Sequence, residues 1–499
     1  MKGHYRLLIA AVLGAAASNL SLRLGNGAVK HWPPVRRPLV FVLDLLIAAY
    51  VLALAVIFVT GGVDLGVVSL DEAAKPTLIL LLLIPLRVTL GGRSWLADLI
   101  QGRGPAGLRL ARVLALGRLS AAEVDVAFTL VATRVATLFI AFIANLLFAP
   151  YGTRSFTLPF ERQKFAEIFA AWDSGWYFDI ASRGYYFNAD GQSSIAFFPL
   201  YPMLMRAVAW PFGGTDRAIW MAGIVVSSAA FVLALLAVHR LTQQLFGDRE
   251  VARRAVLYLA LFPFSLFFTR VYAESIFLLT SVLAVSRAYD GRWWRAGLWA
   301  ALATLARPNG ILIGLPLVLM ALGGRPEARV LALRFVALLP VPFAMAGYCA
   351  YVYTLSGDPL GWLSAQAQWG YSLGHRPWQQ LVQLIDQLLK YGLYDYFFVS
   401  PLAAYRLFHG AAALTFLALT PAIFKRLGAP MGAYVLVSLL IPLTGNALEG
   451  IGRYAAVLFP AFMVVGSFTS PRVHEAILVA SALFLALFVC LFATGRPIY

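Results

Sequence analysis

A few charged side chains stand out in this chain because nearly everything around them is apolar. Two carboxylates, Asp173 and Asp179, lie in "AAWDSGWYFDIASRGYY" (residues 170–186), among two tryptophans, three tyrosines and a phenylalanine. A third, Glu274, falls between two apolar runs, one helical turn after Arg270. Arg307 and Asn309 sit in "LARPNGILIG", where Pro308 and Gly310 interrupt an apolar stretch. Arg453, in "LEGIGRY", has a similar setting. A guanidinium offers a planar fork that fits phosphate, and ionisable groups near a membrane are costly, about 2.5–3.5 kcal/mol at the centre of a span.

Each of these groups has a plain reading as well. Asp173 reads as a solvated carboxylate on the polar side of an interfacial helix, or as a site acid with Tyr177 four residues on and able to neighbour it. Asp179 lies on another face of that helix and reads as solvated or structural. Asp190, in "NADG", reads as a turn residue. Glu274 reads as half of an interfacial pair with Arg270, or as a carboxylate facing the same cavity as Asp173. Arg307 and Arg453 read as snorkelling arginines at helix ends or as anion clamps. Phe197, Phe198 and Tyr201, in "AFFPLYPMLMRAVAWPF", form an apolar wall, suited to anchoring at the interface or to a lipid chain or the flat face of a sugar.

The elements that position these groups follow from composition. The 499 residues are 61% hydrophobic and 13% charged, with a mean hydropathy of +0.78. Soluble domains carry about 25% charged residues. The chain is therefore expected to be an all-α polytopic membrane protein. Apolar runs place spans near 7–22, 38–60, 77–92, 124–149, 217–238, 255–269, 274–288, 293–306, 308–323, 331–354, 407–424, 431–447, 453–469 and 474–494. That gives a bundle of about 12–14 transmembrane helices, several short enough to be broken or re-entrant. Residues 2–24 read as a first membrane helix rather than a signal peptide. Residues 165–180, with Phe165, Phe169, Trp172 and Trp176 at helical spacing, predict an amphipathic interfacial helix.

Charge then orients the bundle. The connection at 91–120 holds five arginines and one acid, which places it in the cytoplasm. Alternation from there puts Arg240, Arg249, Arg253, Arg254, Arg292, Arg295, Arg325, Arg329, Lys425, Arg426 and Arg472 on the same side. The long loops 150–216 and 355–406, with "RVYAES", "ARPNG" and "NALEGIGRY", fall on the other. The candidate residues thus converge on the non-cytoplasmic face. Arg134 falls mid-span and calls for a partner or a cavity.

The net charge of +17 fits basic loops on anionic lipid, with membrane lipids and not nucleic acid as partners. There is no phosphate-binding P-loop, no dinucleotide glycine pattern and no HExxH, and the six histidines show no metal-ligand spacing. No metal and no cofactor are expected, and nucleotide-driven chemistry is disfavoured. Cys349 and Cys490 lie in apolar runs and read as buried thiols.

"WDSGWYFDIASRGYY" followed by "AFFPLYPMLMR", then "YAESIFLLTS", "ATLARPNG", "SGDPLGWLSAQAQWG" and "GRYAAVLFP" in that order, resembles the PIG-V-like mannosyltransferases of the GT-C membrane glycosyltransferase class. The resemblance covers roughly residues 124–470. Residues 1–120 stand outside it as an accessory N-terminal transmembrane module, and 121–499 form the catalytic transmembrane domain. The resemblance implies a GT-C-like bundle with interfacial helices in the long non-cytoplasmic loops. It implies transfer of a sugar from a polyprenyl- or dolichyl-phosphate donor to a glycolipid or glycan acceptor. Its acidic loop residue corresponds to Asp173, its second acid to Glu274, and its Arg-x-Asn element to Arg307 and Asn309. Ala273 stands where the family has a serine.

On this reading Asp173 is the general base of an inverting transfer. Arg307 and Arg453 stabilise the leaving phosphate, Glu274 and Asn309 hold hydroxyls, and Trp172, Tyr177 and Tyr201 complete the substrate site. A bacterial inner membrane, with the site facing the periplasm or exterior, is the expected location. The alternative class is a transporter or flippase of lipid-linked sugars, which would also use broken helices.

Overall fold

The computed structural model describes residues 120–499, apart from 152–155, 157, 160–165, 372–373, 400–401, 446–447, 449, 497 and 499, together with scattered positions between 42 and 83. The chain divides into two compact units, Met1–Ser120 and Ala121–Tyr499. In the first unit two two-residue strands, β1 (Val63–Asp64) and β2 (Ser69–Leu70), pair antiparallel. The runs 7–22, 38–60 and 77–92, the basic connection 91–119 and the Phe165 position lie wholly or largely outside the described residues.

The second unit is helical throughout its described residues. Its elements are α1 (Ala121–Leu147), α2 (Asp173–Arg183), α3 (Leu200–Ala209), α4 (Asp216–Phe246), α5 (Arg249–Leu261), α6 (Glu274–Tyr289), α7 (Trp293–Ala306), α8 (Gly314–Leu322), α9 (Ala328–Leu338), α10 (Pro340–Ser356), α11 (Gly361–Ala367), α12 (Gln379–Val399), α13 (Ala403–Leu443), α14 (Ile451–Ala456), α15 (Phe459–Gly466) and α16 (Pro471–Ala493). Among the described residues, five helices are long and apolar enough to cross a membrane: α1, α4, α9 with α10, α13 and α16. This is a multi-pass, predominantly helical membrane protein. The other apolar runs after residue 120 fold as shorter helices, and several of these end at breaks.

The breaks have local causes. Pro263 cannot continue α5, and the chain turns by 84° into a short 3-10 helix, Pro263–Thr269. The C-terminal carbonyls freed there are met by Arg134, the mid-span arginine. Its guanidinium donates to the Ser265 carbonyl at 3.1 Å, to Ser265 Oγ at 3.1 Å and to the Ala260 carbonyl. A cation at a helix C-terminus is favoured by the exposed carbonyl dipoles, so the partner is backbone and not a carboxylate. Pro308 ends α7 in the same way, and a 3-10 segment, Pro308–Ile313, follows.

Two helix starts are capped by side chains. Thr215 Oγ1 accepts from the Ala218 amide at 3.3 Å before α4, and Asp248 accepts from the Glu250 amide at 2.7 Å before α5. Helices α2 and α3 lie in the first long loop, and α11 and α12 in the second. Cys349 and Cys490 are free and only half-buried, not fully buried as expected.

Candidate active site

Four charged residues from four separate segments meet in one cluster, and each stands at a helix break. Asp173 is the first residue of α2. Trp172 before it has φ +46° and ψ −108°, a conformation costing about 1–3 kcal/mol in a non-glycine residue. That turn separates α2 from the helical residues 166 and 167 ahead of it, so the helix expected over 165–180 is interrupted and resumes at Asp173. Glu274 is the first residue of α6, after an extended Arg270 and a tight turn. Arg307 is extended, between α7 and the 3-10 segment. Arg453 lies in α14, which opens on Gly450 at φ +96°. Both carboxylates therefore sit at helix N-termini, where unpaired amide groups favour negative charge.

Two backbone-level links hold the first two breaks together. The Val271 amide donates to the Phe169 carbonyl at 3.0 Å, and Tyr272 Oη donates to the Ala171 carbonyl at 2.8 Å. The turns before Asp173 and Glu274 are thus tied side by side. Close packing sets the other two. A Cβ on Gly310 would lie 1.9 Å from the Ala303 carbonyl oxygen, and one on Gly452 would lie 2.2 Å from the Phe264 ring. The Gly452 amide also donates to His409 Nδ1 at 3.1 Å.

Arg453 is the hub. Its Nη1 lies 2.6 Å from Asp173 Oδ2, and its Nε lies 2.6 Å from Glu274 Oε1. The same Glu274 oxygen pairs with Arg307 Nη1. The guanidinium of Arg453 lies over Phe267 at 5.0 Å and Tyr272 at 4.8 Å, and that of Arg307 over Tyr454 at 5.1 Å. Two carboxylates and two guanidinium groups give the cluster no net charge. The Asp173 side chain is 22% exposed, against 9% for each arginine and 0% for Glu274. Asp173 is therefore the member that an incoming molecule can reach, and Glu274 is the buried anchor of the two arginines. Glu274 Oε2 and Asn309 Oδ1 are buried without a hydrogen-bond partner.

The other expected residues divide. Tyr177, one turn into α2, lies within the field of Glu274 and Asp173, and burial above all raises its phenol well above the ordinary range. Trp172 packs edge-on against Phe492 at 5.1 Å. Tyr201 is fully buried, with its hydroxyl 2.9 Å from the Gly223 carbonyl and 2.8 Å from Ser227 Oγ. It supports Tyr177, whose ring stands edge-on at 5.0 Å, and offers nothing to a ligand. Asp179 pairs with Arg183 at 3.3 Å, away from the cluster. Asp190 is exposed in a turn closed by Asn188 Oδ1.

The expected Arg270–Glu274 pair does not form. Their four-residue spacing implied one helical face, but α6 starts only at Glu274, so the two point apart. Arg270 is buried between Phe169 and Phe492, 5.4 and 5.5 Å away. Sequence reasoning also passed over Tyr272, Tyr454, Phe267 and Tyr371. Tyr272 and Tyr454 flank the two candidates Glu274 and Arg453, which was the available signal. Tyr371 comes from the second long loop, and its hydroxyl lies 2.9 Å from where a Gly450 Cβ would stand. Burial, then Tyr454, raises its phenol well above the ordinary range.

Comparisons with known proteins agree with the resemblance read from the sequence. Residues 126–323 match the family model described as Mannosyltransferase (PIG-V). GPI mannosyltransferase 2 of Yarrowia lipolytica is 30% identical over 166 residues, which cover 33% of this chain and 44% of that protein. GPI alpha-1,6-mannosyltransferase 2 of Cricetulus griseus is 27% identical over 232 residues, 41% of this chain and 46% of that protein. The chain thus spans less than half the length of these curated relatives. They are eukaryotic and lend no support to a bacterial inner membrane.

Among solved structures, ArnT from Cupriavidus metallidurans bound to undecaprenyl phosphate matches with a TM-score of 0.42 at 13% identity, covering 73% of this chain and 76% of that one. The archaeal oligosaccharyltransferase AglB from Archaeoglobus fulgidus, in complex with an inhibitory peptide and a dolichol-phosphate, matches with a TM-score of 0.36 at 14% identity, covering 72% and 56%. The similarity to PIG-V mannosyltransferases holds over residues 126–323, which carry Asp173, Glu274, Arg307 and Asn309.

Proposed function

We propose that this chain is a membrane mannosyltransferase that moves mannose from a polyprenyl- or dolichyl-phosphate donor to a glycolipid acceptor on the non-cytoplasmic face. The observation that carries this reading is the Asp173–Arg453–Glu274–Arg307 cluster. It joins an accessible carboxylate to two anchored guanidinium groups, which is what a phosphate leaving group and an attacking hydroxyl require. The family match and the named relatives supply mannose and the glycolipid class.

The donor's phosphate meets Arg453 and Arg307. Arg453 uses Nε on Glu274 and Nη1 on Asp173, so Nη2 is the edge left to face an oxyanion. The acceptor hydroxyl approaches Asp173. As its oxygen bonds to the anomeric carbon, the hydroxyl proton passes to the Asp173 carboxylate. The carbon–oxygen bond to phosphate breaks, and its electron pair leaves with the phosphate, stabilised by the two guanidinium groups. In-line attack inverts the sugar centre.

Tyr177 and Tyr371 stay neutral, because their phenols are pushed up by burial. They can donate hydrogen bonds but do not compete as bases. Glu274 acts by fixing the arginine forks, and Asn309 Oδ1 is placed to accept from a sugar hydroxyl.

The test is Asp173→Asn with polyprenyl-phosphate mannose. Donor binding is retained, and turnover falls by about 10²–10⁴, the usual contribution of a general base. Near-normal turnover rejects the base assignment.

A further inference from the structure

At the end of α7 opposite Arg307 the surface carries an open depression. It measures about 400 Å³ and lies among the end of α6, the start of α7, the end of α8, the middle of α9 and the kink of α13, lined by Tyr289, Trp293, Met320, Arg334, Leu427 and Pro430. Pockets for small ligands run from about 300 to 1,000 Å³. Helix α7 has 14 residues, so at 1.5 Å each this cavity lies roughly 20 Å from the Arg307 end.

Arg334 gives the cavity its charge. Its guanidinium lies over the Trp293 ring at 5.0 Å, and Nη1 donates to the Ala321 carbonyl at 2.8 Å, in the last turn of α8. Nε is buried without a partner. No carboxylate pairs with Arg334 among the described residues. The acid nearest in sequence to the lining, Asp290, is already bound by Arg287 at 2.9 Å. Arg292, Arg295, Arg325 and Arg329 are exposed close by in sequence. The remaining lining is aromatic and aliphatic. Sequence neighbours of the lining, Trp294, Leu322, Val330 and Leu333, expose apolar side chains to the outside. A fixed cation inside a partly apolar pocket, beside lipid-facing surface, suits an anionic amphiphile: the charged head enters and the acyl chains stay outside.

We infer that this cavity binds the phosphodiester headgroup of an anionic membrane phospholipid, with Arg334 as its anchor and Trp293 holding the guanidinium in place. The site stands apart from the proposed transfer chemistry, and its test needs no turnover.

The full chain is purified in detergent, and retention of phosphatidylglycerol, phosphatidylcholine and polyprenyl phosphate is measured by native mass spectrometry. The wild type holds phosphatidylglycerol in preference to phosphatidylcholine. Arg334→Gln weakens that binding by about tenfold, the loss of one charge-assisted hydrogen bond, and Arg334→Lys falls between them. Leu427→Trp fills the cavity without touching the charge and gives the same loss, which decides the matter if Arg334→Gln does not fold. Equal retention by wild type and Leu427→Trp overturns the site. Displacement of phosphatidylglycerol by inorganic phosphate or by equimolar polyprenyl phosphate overturns the choice of ligand.

Discussion

Two ionic clusters lie toward opposite ends of α5, and they are built differently. Near its start, Asp125 takes both Arg249 Nε at 2.9 Å and Nη2 at 2.8 Å, and its Oδ2 also lies 3.0 Å from His239 Nε2. Both carboxylate oxygens are used, and the acid is buried. Beyond its end, the Asp173 cluster puts two guanidinium groups on one oxygen of Glu274 and leaves the other oxygen and Asn309 Oδ1 without partners. A buried polar atom left unpaired costs about 1–3 kcal/mol. The Asp125 cluster leaves only His239 Nδ1 unpaired and satisfies its carboxylate fully, which has the character of a structural fastener, whereas the Asp173 cluster leaves carboxylate and amide acceptors open, preorganised for donors that arrive later.

The comparison can be broken at several points. The largest effect belongs to Glu274→Gln. Removing this charge leaves Arg307 and Arg453 buried with only Asp173 for both, and breaking a buried pair costs about 3–5 kcal/mol. Thermal unfolding in detergent measures the loss, and turnover falls with it. Gly310→Ala comes next. The added methyl meets the Ala303 carbonyl, so the break holding Arg307 must move, and a displacement of about 1 Å at a reacting group costs about a hundredfold in turnover.

Asp125→Asn tests the closed cluster. Stability drops by about 1–3 kcal/mol, while the proposed transfer activity per folded molecule stays within about twofold of wild type. A loss of turnover as deep as that of Asp173→Asn would erase the distinction between the clusters.

Asp179→Asn is the smallest change. It leaves turnover intact and shifts stability by less than about 0.5 kcal/mol. Burial raises the Asp179 carboxyl above its ordinary value, against the opposing pull of Arg183. The folded chain therefore holds that proton more tightly than the unfolded chain. The small stabilisation is present at low pH and is lost as pH rises through the raised value. Asparagine removes this slope, which chemical denaturation across that pH range detects.

The charged members of the candidate cluster were visible in the sequence because charge is scarce in this chain and costly in a membrane. Asp173, Glu274, Arg307 and Arg453 stood out for that reason together with Asp179, Asp190 and Arg270, and the family resemblance favoured Asp173, Glu274 and Arg307 among them. The five long helices after residue 120 were legible from apolar runs, though 407–424 and 431–447 were expected as two spans and form the single kinked helix α13, and the breaks were legible from Pro263, Pro308 and Gly310. Pairing was not. The Arg270–Glu274 spacing suggested a bond, yet the first helical residue fell at Glu274 and the partner came from 179 residues away. The aromatic frame was hidden for another reason. With 35 phenylalanines and 21 tyrosines, no single ring announces itself, and only the folded chain shows Tyr272 and Phe267 flanking Arg453.

Arg453 comes late in the chain, and the stretch shared with the mannosyltransferase family model stops at residue 323. A fragment cut at that border would keep both acids and only one of their two cations. Its half-built centre would carry an excess negative charge, and that excess would repel the very oxyanion that the intact centre is proposed to receive. The segment after residue 323, beyond the stretch the family model matches, thus decides whether this corner of the molecule is neutral or repels a phosphate.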